Sequence, residues 1–167
     1  AGNLISSDDG NKSSTYVYNA SNKLLRYTSQ NGNDVIVEEY SYDYDGNRIT
    51  KKTDSETVYY LNDTSAEYTQ VIAEYDQSGN EKCYYTLADE IISQERDSKQ
   101  SYFIADGHGS IRQLSDSEGV ITDTYVYDAW GNLISTTGNT VNNYLYCGEQ
   151  FDSTTGLYYL RARYMDP

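Results

Sequence analysis

A chain of 167 residues is long enough to bury a core, and its formal charge of −14, from 26 acids against 12 bases, argues against nucleic-acid binding, which requires a basic patch. The same charge disfavours attachment to an anionic membrane surface, and no apolar run reaches the length of a membrane span. Tyrosine occurs 20 times against two phenylalanines and one tryptophan, so the interior is expected to hold strand-forming rings whose hydroxyls need partners.

In chain order, the sequence is a succession of strands and turns built on one repeating unit. It opens on Gly2-Asn3-Leu4-Ile5, which reads as the tail of a copy, with no initiator Met and no signal-peptide pattern. Tyr16-Val17-Tyr18-Asn19-Ala20-Ser21-Asn22-Lys23-Leu24 is a degenerate copy, and Gln30-Asn31-Gly32-Asn33 is a turn. Tyr40-Ser41-Tyr42-Asp43-Tyr44-Asp45-Gly46-Asn47-Arg48 is a clear copy, followed by turns at Thr53-Asp54-Ser55-Glu56 and Asn62-Asp63-Thr64-Ser65. Glu74-Tyr75-Asp76-Gln77-Ser78-Gly79-Asn80 is a third copy. No convincing helix occurs, and the weakest strand stretch is residues 86–95, where Leu87-Ala88-Asp89-Glu90-Ile91-Ile92 leaves one short helical turn as the alternative. Turns and partial copies follow at Asp97-Ser98-Lys99-Gln100, Asp106-Gly107-His108-Gly109-Ser110 and Asp116-Ser117-Glu118-Gly119. The clearest copy is Tyr125-Val126-Tyr127-Asp128-Ala129-Trp130-Gly131-Asn132-Leu133, with a further turn at Thr137-Gly138-Asn139.

The chemistry of the unit is local. Tyr-x-Tyr places two rings on one face of a strand. Asp-x-x-Gly matches a type I turn, the Asp oxygen accepting backbone N–H groups and the Gly taking positive φ in the bulge that closes the hairpin. One motif is one hairpin. The expected fold is all-β, tandem antiparallel hairpins forming a curved or spiral sheet of about fifteen short strands with turn signals roughly every 8–12 residues. No linker interrupts it, so residues 1–167 are read as a single domain.

The repeat Tyr-x-Tyr-Asp-x-x-Gly-Asn-Leu resembles the YD repeat. Residues 144–167 are similar to the end of the Rhs repeat-associated core, through Gly148-Glu149-Gln150-Phe151-Asp152, then Thr155-Gly156-Leu157-Tyr158-Tyr159-Leu160-Arg161-Ala162-Arg163-Tyr164, closing on Asp166-Pro167. Asp106-Gly107-His108-Gly109-Ser110-Ile111-Arg112 stands where the family has an Asp-His-x-Gly-Ser segment. The resemblance covers essentially the whole chain. It implies a hollow β-shell, as in polymorphic toxins, toxin complexes and teneurins, that encloses a C-terminal effector. The implied partners are the remaining turns of the parent shell and that effector, and the implied location is secreted or cell surface. It also implies an aspartyl-protease-like self-cleavage for which Asp152 would be half of the pair. Phe151 stands where some relatives carry Arg, and the second Asp would lie beyond Pro167, so no self-cleavage is expected of this chain.

The structural repeat residues are Tyr40, Tyr42, Asp43, Gly46, Tyr75, Asp76, Gly79, Tyr125, Tyr127, Asp128 and Gly131. Arg161 and Arg163 lie two apart in an expected strand, on one face with Tyr159. They are read either as an ordinary surface pair or as shell anchors that bind carboxylates. Trp130 is expected to pack over Tyr125 and Tyr127. His108 lacks a second His or a nearby Cys, and Asp43-Tyr44-Asp45-Gly46-Asn47 has its Gly two positions too early for a calcium loop, so no metal and no cofactor is expected. Cys83 and Cys147 have no paired spacing and are read as two buried free thiols, with a disulfide as the alternative.

No Gly-x-Ser-x-Gly elbow, phosphate loop or dinucleotide fingerprint occurs, and the chain is read as a structural shell segment rather than an enzyme. The alternative is a carbohydrate-binding or adhesive module, in which exposed tyrosines stack on sugar rings. Self-association through exposed strand edges is a third reading.

Overall fold

A computed structural model describes residues 2–65 and 68–167. Those residues are almost wholly antiparallel β: β1 (Ser6–Asp8), β2 (Lys12–Tyr18), β3 (Leu24–Asn31), β4 (Asp34–Tyr42), β5 (Arg48–Lys52), β6 (Thr57–Asp63), β7 (Gln70–Tyr75), β8 (Glu81–Leu87), β9 (Ile91–Arg96), β10 (Lys99–Ala105), β11 (Ile111–Ser115), β12 (Ile121–Tyr127), β13 (Leu133–Thr137), β14 (Gln150–Asp152), β15 (Leu157–Tyr159) and β16 (Tyr164–Met165). The one helical element among them is the 3-10 turn Tyr146–Gly148. The chain gathers into two compact units, Ala1–Asn80 with Arg161–Tyr164, and Glu81–Leu160 with Met165–Pro167. In the first unit β1 to β7 lie in chain order, and in the second β8 to β13 do the same. Each unit is therefore a tandem of hairpins, the all-β architecture that the repeat predicts.

Each Asp-x-x-Gly copy builds the same turn. The Asp43 N–H donates to the Asn47 carbonyl at 2.9 Å, and the Gly46 N–H returns to the Asp43 carbonyl at 3.2 Å. Equivalent pairs close the turns at Asp76, Asp106, Asp116 and Asp128. Gly46 sits at φ +84° and Gly131 at φ +101°, the left-handed region that a Cβ penalises, and in the degenerate first copy Asn22 takes that place at φ +60°. A bulge follows each turn, so the residue before the Asp pairs with the residue six positions on: Tyr18 with Leu24, Tyr42 with Arg48, Ala105 with Ile111, Ser115 with Ile121, Tyr127 with Leu133. The bulge fixes register and with it which face is buried: Tyr125 and Tyr127 are each 7% exposed, while Val126 between them is 48% exposed.

Tyrosine dominates the buried set, with Tyr16, Tyr27, Tyr40, Tyr60, Tyr85, Tyr125, Tyr127, Tyr144, Tyr158 and Tyr159 all below a tenth exposed. The hydroxyls explain why phenylalanine does not replace them. Tyr42 Oη donates to the Leu24 carbonyl at 2.7 Å, Tyr127 Oη to the Ile111 carbonyl at 2.8 Å, and Tyr27 Oη meets Ser14 Oγ at 3.1 Å. A ring buries apolar area while its hydroxyl satisfies a backbone or side-chain group that would otherwise be stranded.

Two local expectations are corrected, and one alternative falls away. Residues 87–92 form no helical turn: Leu87 pairs with Ile91, and the Ala88 N–H donates to the Glu90 carbonyl at 2.9 Å. The long β8–β9 ladder outweighs a helical nucleus of a few residues. Residues 160–163 leave the strand expected to carry Arg161 and Arg163, and Arg161 takes φ +58°. Trp130 does not pack over Tyr125 and Tyr127 but stands 75% exposed, because the second central position of the turn points its side chain off the sheet.

Candidate functional site

In the second unit, the chain that follows β13 lies back over the tyrosine face of β8 to β12. Thr140 begins the contact, its N–H and Oγ1 donating to the two carboxylate oxygens of Asp123 at 2.9 and 2.6 Å. Gln94 Nε2 donates to the Val141 carbonyl at 2.8 Å, and the Ile111 N–H donates to the Leu145 carbonyl at 3.0 Å. The Tyr144 ring packs on Tyr85 at 4.9 Å and Phe103 at 6.5 Å, and Tyr146 packs on Tyr127 at 5.7 Å and Tyr158 at 6.2 Å. Tyr146 and Tyr158 each donate a hydroxyl into the last hairpin turn, at 3.0 Å to the carbonyls of Ala129 and Gly131. A side chain at Gly131 would strike the Tyr146 ring, with Cδ1 at 2.8 Å from an added Cβ. The segment is thus a fitted cover over that face.

The first unit uses Arg161–Tyr164 in the same way. The Tyr164 ring lies 5.4 Å from that of Tyr40, and its hydroxyl is 3.2 Å from Tyr42 Oη and 3.3 Å from Arg48 Nη1. Arg48, 2% exposed, has its guanidinium 4.9 Å from the Tyr60 ring, 5.5 Å from Tyr40 and 5.9 Å from Tyr164. Such a buried cation requires carboxylates and π faces around it. Glu38, fully buried, accepts the Tyr40 hydroxyl at 2.5 Å, and the buried Glu74 pairs in register with Tyr60. Sequence reasoning missed this cluster. The signal was present: Arg48 stands at the bulge partner position that Leu24, Ile111, Ile121 and Leu133 occupy in other copies.

The repeat residues occupy two kinds of position. Tyr40, Tyr125 and Tyr127 are buried and Tyr42 half-buried on the covered face, whereas the half-buried Tyr75 pairs in register with the exposed Tyr59 on the opposite face. Asp43, Asp76 and Asp128 lead the turns that Gly46, Gly79 and Gly131 close. Burial raises the Asp43 carboxyl, but the Asn47 side chain and the backbone N–H groups outweigh it and hold the carboxyl below its ordinary range. The Asn132 amide does the same for Asp128. In the second unit burial pushes the Tyr127 phenol strongly up and Tyr158 up to about 12.

The remaining candidates are dispersed. Arg161 places its guanidinium 5.8 Å from the Tyr68 ring, and its carbonyl accepts Lys23 Nζ at 3.0 Å, while Arg163 is exposed. Asp152, 2% exposed, ends β14, and its carbonyl accepts the Gly156 N–H at 2.8 Å and the Thr155 N–H at 3.1 Å. His108 is exposed with its ring 6.0 Å from Tyr146. Cys83 and Cys147 are both free, Cys83 buried and Cys147 partly so, with burial raising the Cys147 thiol. Among the described residues no group of His, Cys, Asp and Glu is placed to hold a metal, and no helix is long and apolar enough to cross a membrane.

No family model matches the chain. It is 34% identical over 168 residues to the tRNA3(Ser)-specific nuclease WapA of Bacillus spizizenii and 36% identical to the tRNA nuclease WapA of Bacillus subtilis, along 95% of this chain in each case. The chain spans only 7% of the length of those relatives. Among solved structures it is similar to TcdB2-TccC3, with a TM-score of 0.68 at 20% identity over 90% of this chain and 8% of that one. The Photorhabdus luminescens Tc holotoxin pore matches with a TM-score of 0.63 at 18% identity, over the same shares. The bulged Tyr-Asp hairpin recurring along the chain, the ordered C-terminal signature folded over its tyrosine face, and these likenesses together place the chain in the Rhs/YD-repeat family.

Proposed function

We propose that the chain is a length of shell wall in a secreted or cell-surface Rhs/YD-repeat protein, and that this wall encloses and presents a C-terminal effector. The observation that carries the reading is the return of the chain after β13 onto the tyrosine face, which leads the polypeptide along the wall rather than away from it. The role is mechanical. The nuclease activity named for the WapA relatives is not carried over to this segment, which spans 7% of their length, and a charge of −14 repels a tRNA backbone. Arg161 holds the terminal segment through its carbonyl and its stacking on Tyr68, and replacing it together with the exposed Arg163 by Lys lowers the melting temperature through Arg161.

The test is limited proteolysis of the parent protein. A segment downstream of Pro167 that resists digestion in the native state, and is cut once Tyr144→Ala and Tyr158→Ala open the cover, supports enclosure. Digestion of that segment at the rate of a free linker with the wall intact overturns it. For glycan binding the buried Tyr40, Tyr125 and Tyr127 offer no platform. The tyrosines left outside are Tyr44, Tyr59, Tyr68, Tyr84 and Tyr102, and a glycan array checks those directly.

A further inference from the structure

Three of the chain's 12 basic residues, Lys23, Arg161 and Arg163, line one cavity of about 360 Å³ in the first unit. No Asp or Glu among the described residues contributes to its lining, although the chain carries 26 acids. The lining is thus basic in a chain that is acidic as a whole. The rings of Tyr18, Tyr42 and Tyr164 supply much of the remaining wall.

Lys23 is positioned rather than splayed. Lys23 Nζ donates to the Arg161 carbonyl at 3.0 Å and lies 5.9 Å from the Tyr42 ring. Its stem runs against Gly46, where an added Cβ would come within 2.7 Å of Cε. Tyr42 is fixed by donating to the Leu24 carbonyl at 2.7 Å and by meeting Tyr164 Oη at 3.2 Å. Burial, with a smaller contribution from Tyr16, raises the Tyr18 phenol, so Tyr18 remains a neutral donor at physiological pH.

We propose that this cavity is a binding site for an organic carboxylate, whose charge meets Arg161, Arg163 and Lys23 and whose apolar body lies on Tyr18, Tyr42 and Tyr164. A guanidinium presents a planar fork that matches a carboxylate bidentately. The cavity volume sits at the small end of ligand pockets, roughly 300–1,000 Å³, and suits one small acid or one or two residues of an acidic peptide. Inorganic phosphate would satisfy the cations and leave the rings unused.

Calorimetric and NMR titration of the 167-residue chain at low salt tests this, with phenylacetate, a capped Asp-Tyr dipeptide and inorganic phosphate as probes. The expected result is saturable binding of a carboxylate at one site, with shifts confined to residues lining the cavity. Raising the salt weakens it. Arg163→Gln weakens it by about tenfold, with an unchanged melting temperature because Arg163 is exposed, and Arg163→Lys gives an intermediate loss. Tighter binding of the dipeptide than of phenylacetate assigns the natural ligand to a polypeptide side chain, and the reverse order assigns it to a free acid. No saturable binding of either carboxylate, phosphate binding as tightly as both, or affinity indifferent to Arg163→Gln overturns the proposal.

Discussion

Asn132 holds both carboxylate oxygens of Asp128, its backbone N–H 3.0 Å from Oδ1 and its side-chain amide 2.8 Å from Oδ2. Asn47 grips Asp43 at 2.8 and 3.0 Å, and Asn80 grips Asp76 at 2.9 and 2.8 Å, in the same two-point way. The Asn that ends the motif is therefore a clamp on the residue that begins it, closed over the turn.

The turn at Asp116 has Val120 in the clamp position, and its Oδ1 accepts only the backbone N–H groups of Glu118 and Val120, each at 2.9 Å. Val120→Asn supplies the missing amide. It is expected to raise the melting temperature by roughly 1–3 °C, while Asn132→Ala lowers it by a similar amount, as read by thermal denaturation. An unchanged melting temperature in both variants would show that the clamp contributes nothing.

Gly79 and Gly131 share the left-handed backbone, at φ +82° and +101°, but differ in surroundings. An added Cβ at Gly79 meets nothing within 4 Å, whereas at Gly131 it meets the Tyr146 ring. Gly79→Ala is expected to cost about 1–2 kcal/mol from backbone strain alone. Gly131→Ala costs more, and urea denaturation of the two variants reads the excess as the tightness of the cover. Equal losses would mean that Tyr146 moves aside freely.

Acid should undo the turns. The carboxyls of Asp43, Asp106 and Asp128 titrate below their ordinary value of 3.8 in the folded chain. For Asp43 and Asp106 burial acts upward first, and is outweighed by the Asn47 amide in one and by the His108 N–H and Arg112 in the other. For Asp128 the Asn132 amide leads. A depressed folded value means that the unfolded chain binds protons first as pH falls. The stabilisation is complete above the ordinary carboxylate range and drains away below about pH 4. Melting temperature followed from neutral pH downward should fall in that window, and less steeply in the Asp43→Asn, Asp106→Asn, Asp128→Asn triple variant.

Alkali should loosen the cover. Burial carries the Tyr158 phenol up to about 12 against an ordinary value of 10.0. Its folded state holds the proton longer, so this contribution is complete below pH 10 and is lost as pH rises toward 12. Tyr158→Phe removes that dependence and leaves the Gly131 carbonyl without the hydroxyl now 3.0 Å away, a loss of roughly 1 kcal/mol at neutral pH. Ultraviolet titration of tyrosinate, in both variant and parent chain, checks the assignment.

The turns were legible in the sequence because their chemistry is contained in five consecutive residues. Asp43 and Gly46 state acceptor and backbone geometry without help from the rest of the chain, whereas the clamp that Asn47 adds was not read and came only with the structure. Arg161 was illegible for the opposite reason. Its left-handed backbone follows from Lys23 taking its carbonyl and from Tyr164 seating on Tyr40, contacts across more than a hundred residues. Arg48 lay between these cases, visible as a charge at an aliphatic position, but its cage is assembled from Tyr40, Tyr60 and Tyr164 only in the fold.

Because the strands within each unit pair with their neighbours in the chain, the hairpins can zip up one after another as the polypeptide leaves the ribosome. The covers arrive on a different schedule. The second unit receives its own from residues 138–160, soon after its last strand, whereas the first unit waits for Arg161–Tyr164. The half of the chain synthesised first thus waits through the synthesis of the second for its cover, and until then the Tyr40 and Arg48 cluster stands wet and unfinished. A ribosome stalled before Arg161 would hold that half in an open form, which gives the terminal four residues of the first unit the role of a clock on its maturation.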